Sequence, residues 1–246
     1  MKVLWNYLKV AWLGFWLVAA TLILFLPVVT AALCSRTGNL SFSLTKLWAY
    51  TILGVTFTRP RIRGRQNIAA GRSYIIVSNH QSHFDILSLI TCLGIQYRWV
   101  IKQELRKVPL FGYALDAARN IFIDRSDKQS AIASINRGVD RLPPGAGVLF
   151  FAEGTRSADG RLQPFKKGGF IMAIQRQMPI LPITVNGSRK VLPKKNLFFS
   201  PGKIGVVVAP PIETTGYTMD DIGELMEKAR MVIEQNLDPD YPRPGS

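Results

Sequence analysis

The chain has 246 residues, with 31 Lys and Arg against 16 Asp and Glu, and 48% of its residues are hydrophobic. A chain this apolar is not disordered, and its net charge of +15 favours partners that carry negative charge. The two properties together favour a phospholipid surface over nucleic acid. Cys34 and Cys92 cannot form a disulfide framework and have no ligand residues beside them. We therefore expect a reducing compartment and no metal site.

The N-terminal segment predicts a membrane helix, because residues 10–35 carry no charge. A helix of this length crosses a hydrocarbon core of about 30 Å if it tilts. A cleaved signal peptide is the alternative, but the run exceeds the roughly 7–15 apolar residues of such a leader. We favour a retained anchor. Lys2 and Lys9 before the segment balance Arg36 and Lys46 after it, so the flanking charges give no orientation.

A second apolar stretch, from Leu40 to Thr58, is interrupted by Lys46 and predicts an amphipathic helix that lies in the membrane interface. An arginine-rich segment, residues 59–65, follows it. This segment is either a solvated loop or an anchor to anionic head groups, and we favour the anchor. We therefore divide the chain into membrane-anchoring helices, residues 1–58, and a second domain, residues 59–246.

Short β-branched runs alternate with helical patterns in the second domain, which predicts an α/β fold with a mainly parallel central sheet flanked by helices. Helices are predicted from Phe84 to Gly94, after a capping box of Ser126 and Gln129, and from Thr218. The predicted strands are residues 73–78, 97–101, 120–123, 148–152, 180–185 and 204–209.

A candidate general base follows the first of these strands. His80 stands in the turn before a helix and Asp85 in its first turn, so the carboxylate can bond one ring nitrogen and raise the basicity of the other. No serine or cysteine stands out beside the pair as a nucleophile, so the base is expected to act on a substrate hydroxyl directly. His83 is close by and remains an alternative for the functional histidine.

Further candidates stand at other strand ends. Gly154 permits a tight turn after Glu153, Thr155 offers a hydroxyl, and Arg156 offers a planar fork suited to phosphate. Arg125 ends the strand that includes residues 121–123. Solvation or simple ion pairing is the ordinary alternative for both arginines. A strand with a proline near its start, Pro182, indicates an edge strand or a pocket.

In this order, four segments resemble the four sequence blocks of the glycerolipid acyltransferase family: Asn79-His80 with Asp85, residues 121–125, residues 153–156, and residues 181–183. Residues 63–68, 102–105 and 164–168 agree as well, and the similarity covers about residues 62–209. Two positions depart from the family pattern. Ala152 replaces a usual Pro, and Asn120 replaces a usual Gly.

The resemblance implies acyl transfer from acyl-CoA or acyl-carrier protein to the sn-2 hydroxyl of 1-acyl-glycerol-3-phosphate, which gives phosphatidic acid. It implies His80 as the general base, Asp85 as the residue that orients it, and no cofactor, metal or covalent intermediate. The expected partners are a phospholipid surface and the two substrates, without nucleic acid. The expected location is a bacterial inner membrane, with the catalytic domain on the cytoplasmic side. The residues that match the substrate-binding blocks are Lys102, Arg125, Glu153, Gly154, Thr155, Arg156 and Pro182.

Other functions stay open at this point. A related acyltransferase that uses glycerol-3-phosphate or another lysophospholipid is the nearest alternative. A non-catalytic protein that binds a lipid surface is a second. A membrane-anchored nucleic-acid binder is disfavoured, because the chain shows no helix-turn-helix or RNP-like pattern.

Overall fold

The computed structural model describes residues 2–124 and 126–242. The described helices are α1 Lys2–Cys34, α2 Asn39–Val55, α3 His83–Cys92, α4 Phe111–Ala117, α5 Lys128–Asp140, α6 Gly168–Arg176, α7 Ser188–Val191 and α8 Ile222–Gln235. The described strands are β1 Thr58–Arg63, β2 Ile75–Ser78, β3 Tyr97–Lys102, β4 Ile121–Ile123, β5 Gly147–Phe151, β6 Ile180–Asn186 and β7 Gly202–Val208.

The seven strands form one mostly parallel sheet in the order β1-β7-β6-β2-β5-β3-β4, which confirms the predicted fold class. Only β6 and β7 pair antiparallel. One face packs against α1, α2 and α3, and the other against α5, α6 and α8. Along β2, Ile76 faces the first side while Ile75 and Val77 face the second. The carboxyl ends of the parallel strands β2, β5, β3 and β4 meet at one edge, where sites form in such sheets.

The arginine-rich segment, for which the sequence left a solvated loop or a head-group anchor open, includes most of the edge strand β1. Arg59, Arg61 and Arg63 are exposed, while Ile62 packs against the core and Pro60 is half-buried. The arginines therefore alternate with inward residues at the period of a strand. The high arginine content hid this short alternation in the sequence. Contact of these arginines with anionic head groups stays a prediction.

The strand β6 lies between β2 and β7, so the expectation that Pro182 marks an edge strand was wrong. Ile180 exchanges two backbone hydrogen bonds with Ile212, and the Pro182 carbonyl accepts one from the Ala209 N–H. In a β-strand the nitrogen and the carbonyl of one residue point to the same side, and the side alternates from one residue to the next. The Pro182 nitrogen therefore faces the same segment as its carbonyl, residues 209–212. That segment contains two prolines of its own, so an interior proline costs the sheet little here.

Helix α5 begins at Lys128, two residues after the predicted cap. The Asp127 carboxylate accepts the Ser130 N–H at 3.2 Å, whereas the Ser126 hydroxyl donates to Asp124 at 2.6 Å. The capping prediction at Ser126 was therefore wrong by one residue. Asp127 competes successfully because aspartate is an equally good helix cap.

The first two helices form an antiparallel hairpin. Trp12 Nε1 donates to the Val55 carbonyl at 3.0 Å, and the Ser41 hydroxyl donates to the Val28 carbonyl at 3.1 Å. The segment Val3–Cys34 has a mean hydropathy of 2.5 in its most apolar window, and 17% of that window is buried. The outward surface of the hairpin is therefore apolar. Its large exposed side chains include Trp5, Trp12, Phe15, Leu22, Leu26, Leu47 and Tyr50.

A buried arginine fastens the turn of this hairpin to the sheet. Arg98, in β3, is 1% exposed. Its guanidinium donates to the Thr37 carbonyl at 2.8 Å and to Asn39 Oδ1 at 2.6 Å, and it lies over the Phe42 ring. No described carboxylate pairs with it, and burial lowers the pKa of Arg98 to about 10. A cation that is buried among neutral acceptors leaves several of them unsatisfied if it is removed.

We expect Arg98→Met to destabilise the fold by about 3 kcal/mol, or roughly 6–12 °C of Tm, because the hairpin turn loses its donors. Thermal unfolding in detergent measures this change, and trypsin cleavage at the exposed Arg36 reports opening of the turn. The matched control is Arg72→Met, which removes an exposed ion pair with Glu213 and is expected to have little effect. Equal losses in the two variants would contradict a special role for Arg98.

Candidate active site

The His80 imidazole is oriented by a buried carboxylate. Its Nδ1 lies 2.7 Å from Asp85 Oδ2. The Asp85 side chain is fully buried, and that of His80 is 12% exposed. The structure therefore pairs Asp85 with His80 rather than with His83, and it leaves Nε2 of His80 as the ring nitrogen that can act on a ligand.

One oxygen of Asp85 also fixes the backbone around His80. Asp85 Oδ2 accepts the N–H groups of Gln81 at 2.6 Å and Ser82 at 2.8 Å, and the Ser82 hydroxyl accepts the Phe84 N–H at 3.2 Å. This is a capping box, with aspartate in the position of the usual glutamate. The same carboxylate thus starts α3 and orients the histidine. Its second oxygen, Oδ1, is buried with no hydrogen-bond partner among the described residues.

Glu153 holds the backbone of His80 from the neighbouring strand. Its Oε1 accepts the His80 N–H at 2.8 Å and its Oε2 accepts the Gln163 N–H at 2.9 Å. The Ser157 N–H donates to the His80 carbonyl at 2.7 Å. Burial raises the pKa of Glu153, although these two backbone donors oppose the shift. Because each oxygen of Glu153 accepts a backbone donor, the side chain links the turn that carries His80 to the segment at Gln163.

Two residues that the sequence reasoning missed complete this support. The Phe151 ring stacks on the His80 ring at 3.7 Å between centroids and 8° between planes. Asn79 exchanges two hydrogen bonds with the backbone of Val185 in β6, at 2.9 and 2.7 Å. Phe151 lies in the strand predicted at residues 148–152, and Asn79 opens the first of the four family segments, but neither was predicted as a site residue. Their partners lie 71 or more positions away in sequence, so no local pattern could have identified the contacts.

A cavity of about 1220 Å³ opens beside His80. This is larger than most small-molecule sites, which have volumes of about 300–1,000 Å³. Its wall on one side of the sheet comes from α1, α2, α3 and α4, and on the other side from α5 and α6. The apolar lining includes Leu17, Leu24, Phe25, Trp48, Trp99, Phe111, Ile132, Ile135, Phe150 and Phe170.

The polar part of the cavity wall contains most of the predicted substrate-binding residues. Lys102 lies at the end of β3, and residues 153–156 follow β5. Gly154 has φ +70, a left-handed conformation that favours glycine, and an added Cβ would lie 3.3 Å from Lys166 Cγ. Thr155 is exposed and Arg156 half-buried. The Arg156 guanidinium forms no ion pair with any carboxylate in the described ranges, and its backbone carbonyl accepts the ammonium of Lys194.

The two remaining predicted site residues differ from these five. Arg125 lies outside the described residues. Pro182 is buried within β6 and is not among the residues that line the cavity. In addition, within residues 2–124 and 126–242 no three His, Cys, Asp or Glu side chains are grouped so that they could hold a metal ion.

The two departures from the family pattern both form hydrogen bonds. The Ala152 N–H donates to the Ser78 carbonyl at 2.9 Å, a bond that a proline could not form. Asn120 Oδ1 accepts the Trp99 N–H at 2.9 Å, and Asn120 Nδ2 donates to the Leu115 carbonyl at 3.0 Å. Each substitution therefore adds a link between elements that line the cavity.

Comparison with known sequences identifies relatives of this chain. The model of the Acyltransferase family matches residues 59–186. The 1-acyl-sn-glycerol-3-phosphate acyltransferase alpha of Homo sapiens is 33% identical over 212 residues, which cover 85% of this chain and 75% of the relative. A chloroplastic 1-acyl-sn-glycerol-3-phosphate acyltransferase of Brassica napus is 36% identical over 171 residues, or 69% of this chain. The match spans about half of that longer relative, 49%.

Comparison of structures identifies the same fold in a bacterial protein. The crystal structure of the 1-acyl-sn-glycerophosphate acyltransferase of Thermotoga maritima superposes with a TM-score of 0.82 over 96% of each chain, at 23% sequence identity. The likeness therefore includes the N-terminal helices as well as the sheet.

We expect Asp85→Ala to lower Tm by about 4–8 °C, because α3 loses its capping carboxylate, a loss of about 2 kcal/mol. Asp85→Asn is expected to cost less than half as much, since an amide oxygen in the position of Oδ2 can accept the same three bonds. The amide nitrogen then occupies the place of Oδ1, which has no described partner. Thermal unfolding of both variants measures the difference. Similar losses in both variants would show that the charge, rather than the accepting oxygen, supports the fold.

Proposed function

Since the chain belongs to the acyltransferase family, we propose that it is a 1-acylglycerol-3-phosphate O-acyltransferase. It transfers an acyl chain from acyl-CoA or acyl-carrier protein to the sn-2 hydroxyl of 1-acyl-glycerol-3-phosphate and so forms phosphatidic acid. The names of the human and Brassica napus relatives support this acceptor. The observation that carries the proposal is His80, oriented by Asp85, in the wall of a large apolar cavity that Lys102, Arg156, Lys166 and Lys167 also line.

His80 is proposed as the general base. Its Nε2 takes the proton of the sn-2 hydroxyl while that oxygen attacks the thioester carbonyl carbon. The new C–O bond forms, the C–S bond breaks, and the thiolate recovers the proton from the imidazolium. Asp85 stabilises the positive ring, and Phe151 and Glu153 keep it in position. The step needs no acyl-enzyme, because the base acts on the acceptor itself.

The acceptor phosphate is proposed to lie at the polar end of the cavity. Arg156 offers a planar pair of donors and Lys102 a point charge, and both line the cavity with His80. The sequence resemblance adds Arg125 to this group. If these residues hold the phosphate, the sn-2 hydroxyl lies at a fixed distance from the base, and positioning of this kind contributes much of an enzyme's rate.

The apolar walls of the cavity suit acyl chains. Side chains of α1 and α2 line it on one face of the sheet, and side chains of α5 and α6 line it on the other. The reaction brings together two acyl chains, one from each substrate, and a volume of about 1220 Å³ is consistent with a site of that size. Exclusion of water from such a site also strengthens the electrostatic interactions around the reacting carbonyl.

The hairpin of α1 and α2 is proposed as the membrane anchor. Tyr7 contacts the Phe198 ring near one end of α1, and Phe25 contacts the Tyr113 ring near the other. Helix α1 therefore lies along the domain and presents its exposed apolar face outward. A helix in that position suits the interface of one leaflet, where the lipid acceptor resides, rather than the bilayer crossing that the length of residues 10–35 predicts. A bacterial inner membrane, with the catalytic domain on the cytoplasmic side, stays a prediction.

We expect His80→Ala to lower kcat by about 10²–10⁴-fold, the usual contribution of a general base, while acceptor binding is retained. A thiol-release assay measures turnover with oleoyl-CoA or acyl-carrier protein as donor. Lysophosphatidic acid, glycerol-3-phosphate and lysophosphatidylcholine are compared as acceptors. Thiol release with a different acceptor would identify that acceptor as the substrate and leave the proposed mechanism unchanged. No release from the folded wild-type protein would contradict the enzyme proposal and favour a lipid-binding protein.

We expect Arg156→Lys to raise KM for lysophosphatidic acid about tenfold, because an ammonium cannot replace two parallel guanidinium bonds to phosphate. The matched control is Arg161→Lys. Arg161 is exposed in the same loop and does not line the cavity, so its KM is expected to stay near the wild-type value. With a phosphate-free acceptor, 1-monoacylglycerol, the KM values of the two variants are expected to be equal. An unchanged KM in Arg156→Lys would place the phosphate elsewhere.

A further inference from the structure

The cavity contains a second histidine, for which the proposed mechanism has no role. His83 is the first residue of α3, and its side chain lines the same cavity as His80 and Arg156. Asp85 bonds the His80 ring. In the part of the chain that the structure describes, no hydrogen bond reaches the His83 ring. A candidate base needs a group that orients it, so the structure assigns that task to His80 and leaves His83 unexplained.

The surroundings of His83 are cationic. Desolvation in the cavity wall lowers the pKa of His83, although the residue as a whole is exposed. The positive charge of Arg156 and the neighbouring His80 lower this pKa further, and the carboxylate of Asp85 opposes them. The Lys194 ammonium, which bonds the Arg156 carbonyl, adds a further charge behind that loop. The cavity that His83 lines contains the cations Lys102, Arg156, Lys166 and Lys167 and the carboxylate of Glu153. Asp85 is buried beside His80, so the charged groups around the cavity are more positive than negative. Such a corner of a cavity favours an anionic ligand.

We propose that His83 binds the phosphate of the acceptor together with Arg156, through an imidazole N–H donated to a phosphate oxygen, and so selects acceptors that carry a phosphate. This inference rests on the proposed function, because it names a further residue of the same acceptor site. In this role His83 touches the substrate without taking part in proton transfer at the sn-2 hydroxyl. It distinguishes a lysophosphatidate from a neutral monoacylglycerol of the same chain length.

A defined pH dependence follows from this contact. In the free enzyme desolvation, and after it the charge of Arg156 and the neighbouring His80, keep the pKa of His83 below its usual value, so the ring is neutral near pH 7. A bound phosphate favours the imidazolium and therefore raises that pKa. Binding then takes up a proton. The contribution of His83 to acceptor affinity is greatest at low pH and declines as the pH rises through the pKa of the complex.

The test compares KM for lysophosphatidic acid in the wild type and in His83→Gln between pH 6 and pH 8.5. We use the KM of His83→Gln divided by the KM of the wild type, because the phosphate's own titration affects both proteins equally and cancels from this ratio. The expected ratio is about tenfold at pH 6, the effect of one charge-assisted hydrogen bond, and about twofold at pH 8.5. With 1-monoacylglycerol as acceptor the ratio is expected to stay near one at every pH.

Lys228→Gln serves as the matched control for the loss of a cation, because Lys228 is exposed on α8 and does not line the cavity. The KM of Lys228→Gln divided by the KM of the wild type is expected to be one at every pH. His83→Asn is measured beside His83→Gln, and thermal unfolding confirms that both variants are folded. If either folded variant gives a ratio that does not change with pH, or an equal change with 1-monoacylglycerol, His83 is a wall residue and the inference is wrong.

Equilibrium binding separates failure of this inference from failure of the proposed function. Trp99 lines the cavity, so quenching of tryptophan fluorescence by lysophosphatidic acid reports binding without turnover. Binding that weakens in His83→Gln at pH 6, in a protein that releases no thiol, would support the phosphate contact and contradict the acyltransferase proposal. Turnover by the wild type, with equal binding of lysophosphatidic acid to the wild type and to His83→Gln, would support the acyltransferase proposal and contradict the phosphate contact.

Discussion

The hydrogen bond between Asp85 and His80 connects the local structure of α3 to the chemistry of the site. One carboxylate oxygen accepts the His80 ring and the N–H groups of Gln81 and Ser82. Because these donors need the same oxygen, the start of α3 and the direction of the imidazole cannot vary independently. As the proposed base, His80 is oriented before any substrate arrives, and preorganisation of this kind lowers the reorganisation that accompanies proton transfer.

The order of the strands explains why the rest of the site gathers around this pair. The chain leaves β2 for β3 and β4 on one side and returns through β5 to β6 on the other, so β2 lies at the point where the strand order reverses. The ends of β2 and β5 are adjacent, which brings Glu153 to the His80 backbone and Phe151 to its ring. Lys102, at the end of β3, joins them one strand further along the same edge.

The sequence predicted those features that depend on short stretches of chain. Six strands, the His80–Asp85 pair and the turn at Gly154 are each specified within about ten residues, and the structure contains all of them. Features that depend on distant partners were missed or misinterpreted. The interior position of Pro182 depends on the turn at residues 209–212, and β1 becomes a strand through pairing with β7. The cavity joins α1 to α6, a separation that no periodicity can reveal.

The hairpin of α1 and α2 has an inner and an outer surface with different roles, and Arg98 of β3 holds its turn against the sheet. The inner surface forms one wall of the cavity, while the outer surface is apolar and exposed. Displacement of the hairpin would open the cavity to water beside His80 and remove the wall along which the acyl chains are proposed to lie. A buried cation at the turn opposes this displacement, because its neutral partners at Thr37 and Asn39 would lose their donor. The proposed contact with lipid on the outer surface would act in the same direction, because it would shield the apolar helices from water in their present position. The proposed membrane association and the exclusion of water from the site would therefore favour each other.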